Sequence, residues 1–173
     1  MSGIILYKSK YGATKKYAGW LSERTGFPCV ETDKADVKKL AEYDTVLLGG
    51  GIYASGIAGL SFLKKNIGRL AGKKVIVFCC GASPYEQKAF DAIVKYNFKD
   101  ALEGIPCFYC RGAFSMRDMT FKDRTLCRLL RKVVAKKKPE EYELWEKGLM
   151  EVKEDEKGDW TDISYIEPII AAL

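Results

Sequence analysis

An α/β domain built on a doubly wound, five-stranded parallel sheet with helices on both faces is the architecture this sequence predicts. Three observations carry that expectation. Short apolar runs alternate with amphipathic stretches over the first two thirds of the chain, and strands alternating with helices give a parallel sheet joined by right-handed crossovers. The run DTVLLGGG is apolar almost throughout, as expected of a strand buried on both faces. A length of 173 residues suits one domain with a full core and is short for two, so residues 1–173 read as a single unit.

Taken in order, GIILYK is the first strand, and Gly12 to Gly26 is a helix with Ala13, Tyr17, Trp20 and Leu21 on one stripe. FPCVET is a short second strand, followed by the polar DKADVKKLAEY, a short helix or turn. After the third strand, DTVLLGGG, the spacing of Leu60, Leu63, Ile67 and Leu70 predicts a helix over Ile57 to Leu70. KKVIVFCCG is a fourth strand, YEQKAFDAIVKYNF a helix, and IPCFYCRGAF a fifth strand. The rhythm then breaks. Residues 115–159 form a helical and charged excursion, well beyond an ordinary loop. Inside it, Phe121 to Lys138 is an amphipathic helix with Leu126, Leu129, Leu130, Val133 and Val134 on one side and Lys or Arg around the rest. SYIEPIIAAL supplies the last helix, with Ser164 and Glu167 as a capping box and Pro168 in the first turn.

Composition narrows the function. With 47% hydrophobic and 30% charged residues, neither disorder nor a fibrous architecture is expected. No apolar stretch is long enough to span a bilayer, and the first residues lack the pattern of a secretory signal, so a cytoplasmic protein is expected. Six cysteines fit that compartment as buried thiols. Cys107 and Cys110 form a CxxC, but in a strand residues three apart point to opposite faces, which suits neither a shared metal nor a disulfide. The chain has no histidine and so lacks the usual acid and base at neutral pH.

In an open parallel sheet ligands bind at the carboxyl ends of the strands. The loops there read SKYGAT, GGGIYASG and CGASPYEQ, rich in small and hydroxyl residues. A P-loop would need GxxxxGK followed by Ser or Thr, and a dinucleotide fold GxGxxG; both are absent. A receiver domain would need acidic residues where Lys8 and Gly49 to Gly51 stand, and a low-molecular-weight phosphatase would need a cysteine before Cys29. Two readings of the first loop remain. Ser9, Gly12, Ala13 and Thr14 could present N–H groups and hydroxyls to a phosphate monoester at a helix N-terminus, or form a plain strand-to-helix turn capped by Ser9.

ILYKSKYGATKKYA, DTVLLGGGIYASG and the Cys79 to Ser83 loop together resemble the flavodoxin-like family, over about residues 3 to 115. Within it, the resemblance is to the flavodoxin-domain branch that includes the menaquinone-dependent protoporphyrinogen dehydrogenases. The family's first loop has two hydroxyl residues one position apart, then Gly and Thr; Ser9, Gly12 and Thr14 match, and Tyr11 replaces one hydroxyl. The resemblance implies strand order 2-1-3-4-5 and a bound flavin mononucleotide (FMN). Its phosphate would lie on Ser9, Lys10, Tyr11, Gly12, Ala13 and Thr14. Gly50 and Gly51 would supply a backbone carbonyl able to turn toward the ring, with Ile52 beside them. Tyr53, or Tyr85, would stack on the ring or act as a lid on the strand ends. Ala54, Ser55 and Gly56 would wrap one ring edge, and Gly81, Ala82 and Ser83 would offer N–H groups to the other. A redox protein passing electrons to or from a partner is the function implied. Protoporphyrinogen oxidation with a quinone acceptor and a flavin-free interaction module are the alternatives. The net charge of +6 gathers in the segment 121–138, which either meets an anionic membrane or an acidic partner or is a solvated basic face. Nucleic acid is a third, disfavoured partner, since no binding motif accompanies the charge.

Overall fold

Alternate residues of the central strands enter two separate cores, one on each face of a single sheet. The computed structural model describes residues 2–173. Five parallel strands, β1 (Gly3–Lys8), β2 (Cys29–Glu31), β3 (Thr45–Tyr53), β5 (Lys74–Gly81) and β6 (Cys107–Arg111), stand in the order β2-β1-β3-β5-β6. Counting these long strands alone, the order is the expected 2-1-3-4-5. On one face Ile4 and Leu6 of β1, Val46 and Leu48 of β3 and Val77 and Cys79 of β5 pack against helix α2 (Leu60–Asn66), with α3 (Gln87–Asn97) adding the half-buried Phe90 and Ile93. On the other, Ile5, Leu47, Ile76 and Phe78 pack against Tyr17, Ala18 and Leu21 of α1 (Ala13–Thr25) and Ile169 of α6 (Glu167–Ala171). The period-two alternation of a strand divides its side chains in this way.

Several expectations change in detail. The third strand does not stop at Gly51; it runs on to Tyr53 and folds back on β4 (Gly56–Ile57) as an antiparallel hairpin. DKADVKKLAEY forms two short 3-10 turns, Thr32–Lys34 and Val37–Glu42. On α1 the fully buried stripe is Thr14, Tyr17, Ala18 and Leu21, with Ala13 and Trp20 only half-buried. The predicted capping box at the last helix is absent. Asp162 caps the preceding 3-10 turn by accepting the Ser164 N–H, and Pro168 does lie in the first turn of α6. Ser164 already sits inside that turn, so its own backbone N–H needs the cap.

The fifth apolar run splits. β6 ends at Arg111, and Ala113–Phe114 (β7) turns away to pair antiparallel with Gly158–Asp159 (β8). The two ends of the excursion are therefore stapled side by side at its base. Between them lie α4 (Phe121–Val134) and α5 (Leu144–Glu151). Arg131 of α4 donates to the carbonyls of Leu149 and Val152 at 2.7 and 2.6 Å, and Val134, Leu149 and Val152 are buried there.

Candidate functional site at the strand ends

β1 lies between β2 and β3, so the chain leaves it first to one side and later to the other. At that reversal the loops on either side diverge and leave a crevice at the strand ends. The first loop occupies it. Lys8 ends β1, and Gly12, at φ 96°, turns the backbone into α1. That left-handed conformation is one glycine adopts without steric cost. The Gly12 N–H donates to Ser9 Oγ at 3.1 Å.

α1 opens differently from α3 and α4, sharing with α2 a left-handed glycine N-cap without a side-chain cap, but it alone of the two follows the strand at which the order reverses. Glu86 caps α3 by accepting the N–H groups of Lys88 and Ala89, and Thr120 caps α4 by accepting that of Asp123. α1 has no side-chain cap and no acidic residue in its first turn. A helix N-terminus in this state presents backbone donors and the positive end of the helix dipole to whatever anion arrives. Thr14, the second residue of α1, is buried, and a Cβ at Gly112 beyond β6 would come within 3.2 Å of the Ala13 Cβ.

Gly50 and Gly51, read both as the end of the third strand and as the start of the loop after it, are buried inside β3, paired with Cys79 and Cys80 of β5. The Gly51 carbonyl accepts the Ala58 N–H at 2.9 Å. A Cβ at Gly50 would lie 2.1 Å from the Ala58 carbonyl oxygen. These glycines permit close backbone approach within the hairpin. The turn itself falls at Ala54 and Ser55, both at positive φ (46° and 67°), the backbone of a tight two-residue hairpin. Asn97 of α3 braces it, donating to the Ser55 carbonyl at 2.7 Å and accepting the Ile57 N–H at 2.9 Å. Half-buried Ile52 precedes the turn, and half-buried Gly56 follows it.

Tyr53 crosses from this hairpin to the first loop. Its ring lies on Gly51, where a Cβ would meet the phenol at 2.6 Å, and its hydroxyl accepts the Lys10 N–H at 3.3 Å. Partial burial raises its pKa. The Lys10 ammonium sits 5.5 Å from the Tyr11 ring and 5.9 Å from the Tyr53 ring. Tyr53 so covers the strand ends between the hairpin and the first loop. Tyr85 lies elsewhere, against Phe90 and Tyr109.

The fourth-strand loop is held from behind. Gly81 ends β5, the Ala82 carbonyl accepts from Arg111 Nε at 3.1 Å, and the Ser83 carbonyl accepts from the Tyr109 hydroxyl at 2.5 Å. Arg111 also pairs with Glu151 at 2.8 Å and lies 4.2 Å from the Trp160 ring. From the excursion, Gly148 of α5 packs on Ser83 so closely that a Cβ would come within 2.9 Å of its Oγ. At the other end, Asp123 in the first turn of α4 binds both the Lys10 ammonium and the Tyr11 hydroxyl. That contact holds the Asp123 carboxyl below its ordinary range, Lys10 first and Tyr11 second, and raises Lys10. The excursion thus touches both outer loops of the crevice.

Arg111 and Tyr109 were not singled out from sequence, although they end the strand that neighbours Gly81. Asp123 and Gly148 carry no local signal, since they reach their loops only through the tertiary fold. The cysteines follow the period-two rule: Cys107 belongs with Cys79 on one face, Sγ to Sγ 3.9 Å, and Cys110 with Cys80 on the other. Among the described residues all six are free thiols and no cluster of metal ligands forms. The neighbouring thiols, Cys107 beside Cys79 and Cys80 beside Cys110, and then burial push Cys79 and Cys110 well above the ordinary thiol range.

A profile of the family described as Flavodoxin domain matches residues 4–143. The chain belongs to the flavodoxin-domain family. Its sheet order and crevice are those described above, and the family match runs through the first loop, the β3–β4 hairpin, the β5 loop and α4. Three solved structures are similar to this flavodoxin-domain chain. A flavodoxin from the domain Archaea shares 16% identity, with 75% of this chain and 93% of the other covered and a TM-score of 0.43. The two-electron reduced flavodoxin of Megasphaera elsdenii shares 23%, covering 62% and 82% with a TM-score of 0.45. The rubredoxin oxygen:oxidoreductase of Desulfovibrio gigas shares 17%, covering 64% of this chain and 30% of that one, with a TM-score of 0.44. The family assignment rests on the profile match and not on these distant likenesses. No curated protein sequence matches.

Proposed function

We propose that this flavodoxin-domain protein binds FMN noncovalently and exchanges electrons with a redox partner. One observation carries the reading: α1 begins without a side-chain cap at the point where strand order reverses, which is where a phosphate gains most from backbone donors. The residues present fit that group. Ser9, Lys10, Tyr11, Gly12, Ala13 and Thr14 would hold the phosphate. Tyr53, with Ile52, Gly50, Gly51 and the turn Ala54–Gly56, would flank the ring on one side, and Gly81, Ala82 and Ser83 on the other. FMN, when bound, supplies the electron-transfer chemistry.

The chain's own residues bind, orient and exclude water. Gly12 keeps the first loop open to close approach, and Arg111 and Tyr109 brace the β5 loop by its carbonyls. Tyr53 bridges the hairpin and the first loop, its ring resting on Gly51 and its hydroxyl accepting the Lys10 N–H at 3.3 Å. Nothing here asks for a histidine, which the chain does not contain.

The test is the visible spectrum after incubation with excess FMN and desalting. A retained flavin band is expected, and Ser9→Ala should weaken binding by roughly tenfold, the worth of one hydrogen bond to a charged group. Ser9→Glu, at a half-buried loop position, should abolish binding with far-UV circular dichroism unchanged. A wild-type protein that stays colourless refutes the reading. It would favour a flavin-free interaction module instead, for which the lid position of Tyr53 is the supporting observation. Protoporphyrinogen oxidation with a quinone acceptor is the enzymatic form of the flavin reading, tested by adding that substrate to the flavin-loaded protein.

A further inference from the structure

Helix α4 is built inside out. Its arginines face the protein. Arg124 donates to the carbonyls of Met116, Arg117 and Met119, Arg131 to those of Leu149 and Val152, and Arg128 pairs with Glu154. Its large apolar residues face water. Leu126, Leu129, Leu130 and Val133, at i, i+3, i+4 and i+7, are 56%, 56%, 37% and 58% exposed, and Phe121 at the start is 81% exposed. Only Val134 of this helix is buried. A surface helix ordinarily turns such a stripe inward, and an apolar ridge of this size on one helix marks a contact surface.

We propose that this ridge inserts into the headgroup boundary of an anionic lipid bilayer. Charge selects the occupant. Lys122 and Lys132 lie on α4 beside the ridge and Lys136 just past its end, all exposed and without an ion pair among the described residues, whereas Lys137 is taken by Glu146. Asp123 is the sole carboxylate within 121–138, and it is bound to Lys10 and Tyr11. A second copy docking ridge to ridge would set the lysines of one α4 against those of the other, with Asp123, the one carboxylate of the helix, already engaged. Protein interfaces are depleted in lysine and need fixed polar partners around an apolar centre. A bilayer needs neither, since apolar side chains enter the acyl boundary while flexible lysines reach the anionic headgroups. Among the described residues no helix is long and apolar enough to cross the membrane, so the contact is peripheral.

The experiment is co-sedimentation of the full chain with phosphatidylcholine vesicles containing one third phosphatidylserine, against phosphatidylcholine alone. Binding to the anionic vesicles is expected, weakened by salt and at least tenfold weaker on neutral ones. Leu129→Ser with Val133→Ser should lower it by tenfold or more, and Lys122→Glu with Lys132→Glu by roughly an order of magnitude. All four positions are exposed, and circular dichroism and thermal unfolding should match the wild type. Absence of vesicle binding, equal binding to both lipids, or full binding by the double variants would each overturn the proposal. So would a dimer in sedimentation velocity that Leu129→Ser dissolves, because the ridge would then belong to a second copy. None of these readouts depends on flavin.

Discussion

Tyr17 shows how much one buried side chain can connect. Its hydroxyl donates to the Arg111 carbonyl at 2.6 Å and accepts the Asp162 N–H at 3.1 Å, joining α1, the end of β6 and the C-terminal segment. Burial raises its pKa far above that of an ordinary phenol, so it remains a neutral donor and acceptor. Tyr17→Phe leaves two backbone groups without partners, and a loss of about 1–3 kcal/mol in urea denaturation is expected. Asp123 governs the pH response of the first loop. Its depressed pKa means that its contact with Lys10 is complete above about pH 4 and lost as pH falls through the lowered value. The raised Lys10 keeps its side of the contact until pH rises through its own elevated value. The contact therefore holds across neutral pH. Protection factors of the amides in residues 9–12, exchange corrected for its intrinsic pH dependence, should fall as pH drops through the lowered Asp123 value, and Asp123→Asn should remove the step; an acid step that survives in the variant would assign it elsewhere.

Among the elements, the β3–β4 hairpin is held by close backbone approach. Gly50→Ala places a methyl group 2.1 Å from the Ala58 oxygen, a backbone atom that cannot swing aside. A cost of about 1–3 kcal/mol follows from such overpacking, read as a lower denaturation midpoint. The turn runs the other way. Ala54 and Ser55 hold positive φ without being glycine, so Ala54→Asn with Ser55→Gly should stabilise by about 1 kcal/mol. An unchanged midpoint would mean that Asn97 already sets the turn. α4 makes the contrasting case, because its periodicity identifies a helix whatever lies against it, while the side that meets the protein depends on what α5 offers. What α5 and the residue after it offer is carbonyl oxygens at Leu149 and Val152, which take the Arg131 guanidinium and leave the leucines outside.

At the scale of the molecule, the excursion is a compact attachment whose two ends are joined by β7 and β8 and whose helices reach both outer loops of the crevice. Flavin retention tests the crevice and vesicle binding tests the outer face of α4. The two results are independent. The alternation of strands and helices, the burial of β3 on both faces, the opposed CxxC cysteines and the glycine-led start of α1 were all legible in the residue order. Each depends on periodicity or on a backbone preference, and those are local properties. Contacts between residues far apart in the chain were not legible. That Asp123 would lie on the first loop, Gly148 on Ser83 and Tyr53 on Gly51, or that the third strand would run past Gly51 into a hairpin, follows from packing. Packing selects among arrangements that local preferences leave equal in energy, and so the crevice's surroundings were decided only when the chain had closed around it.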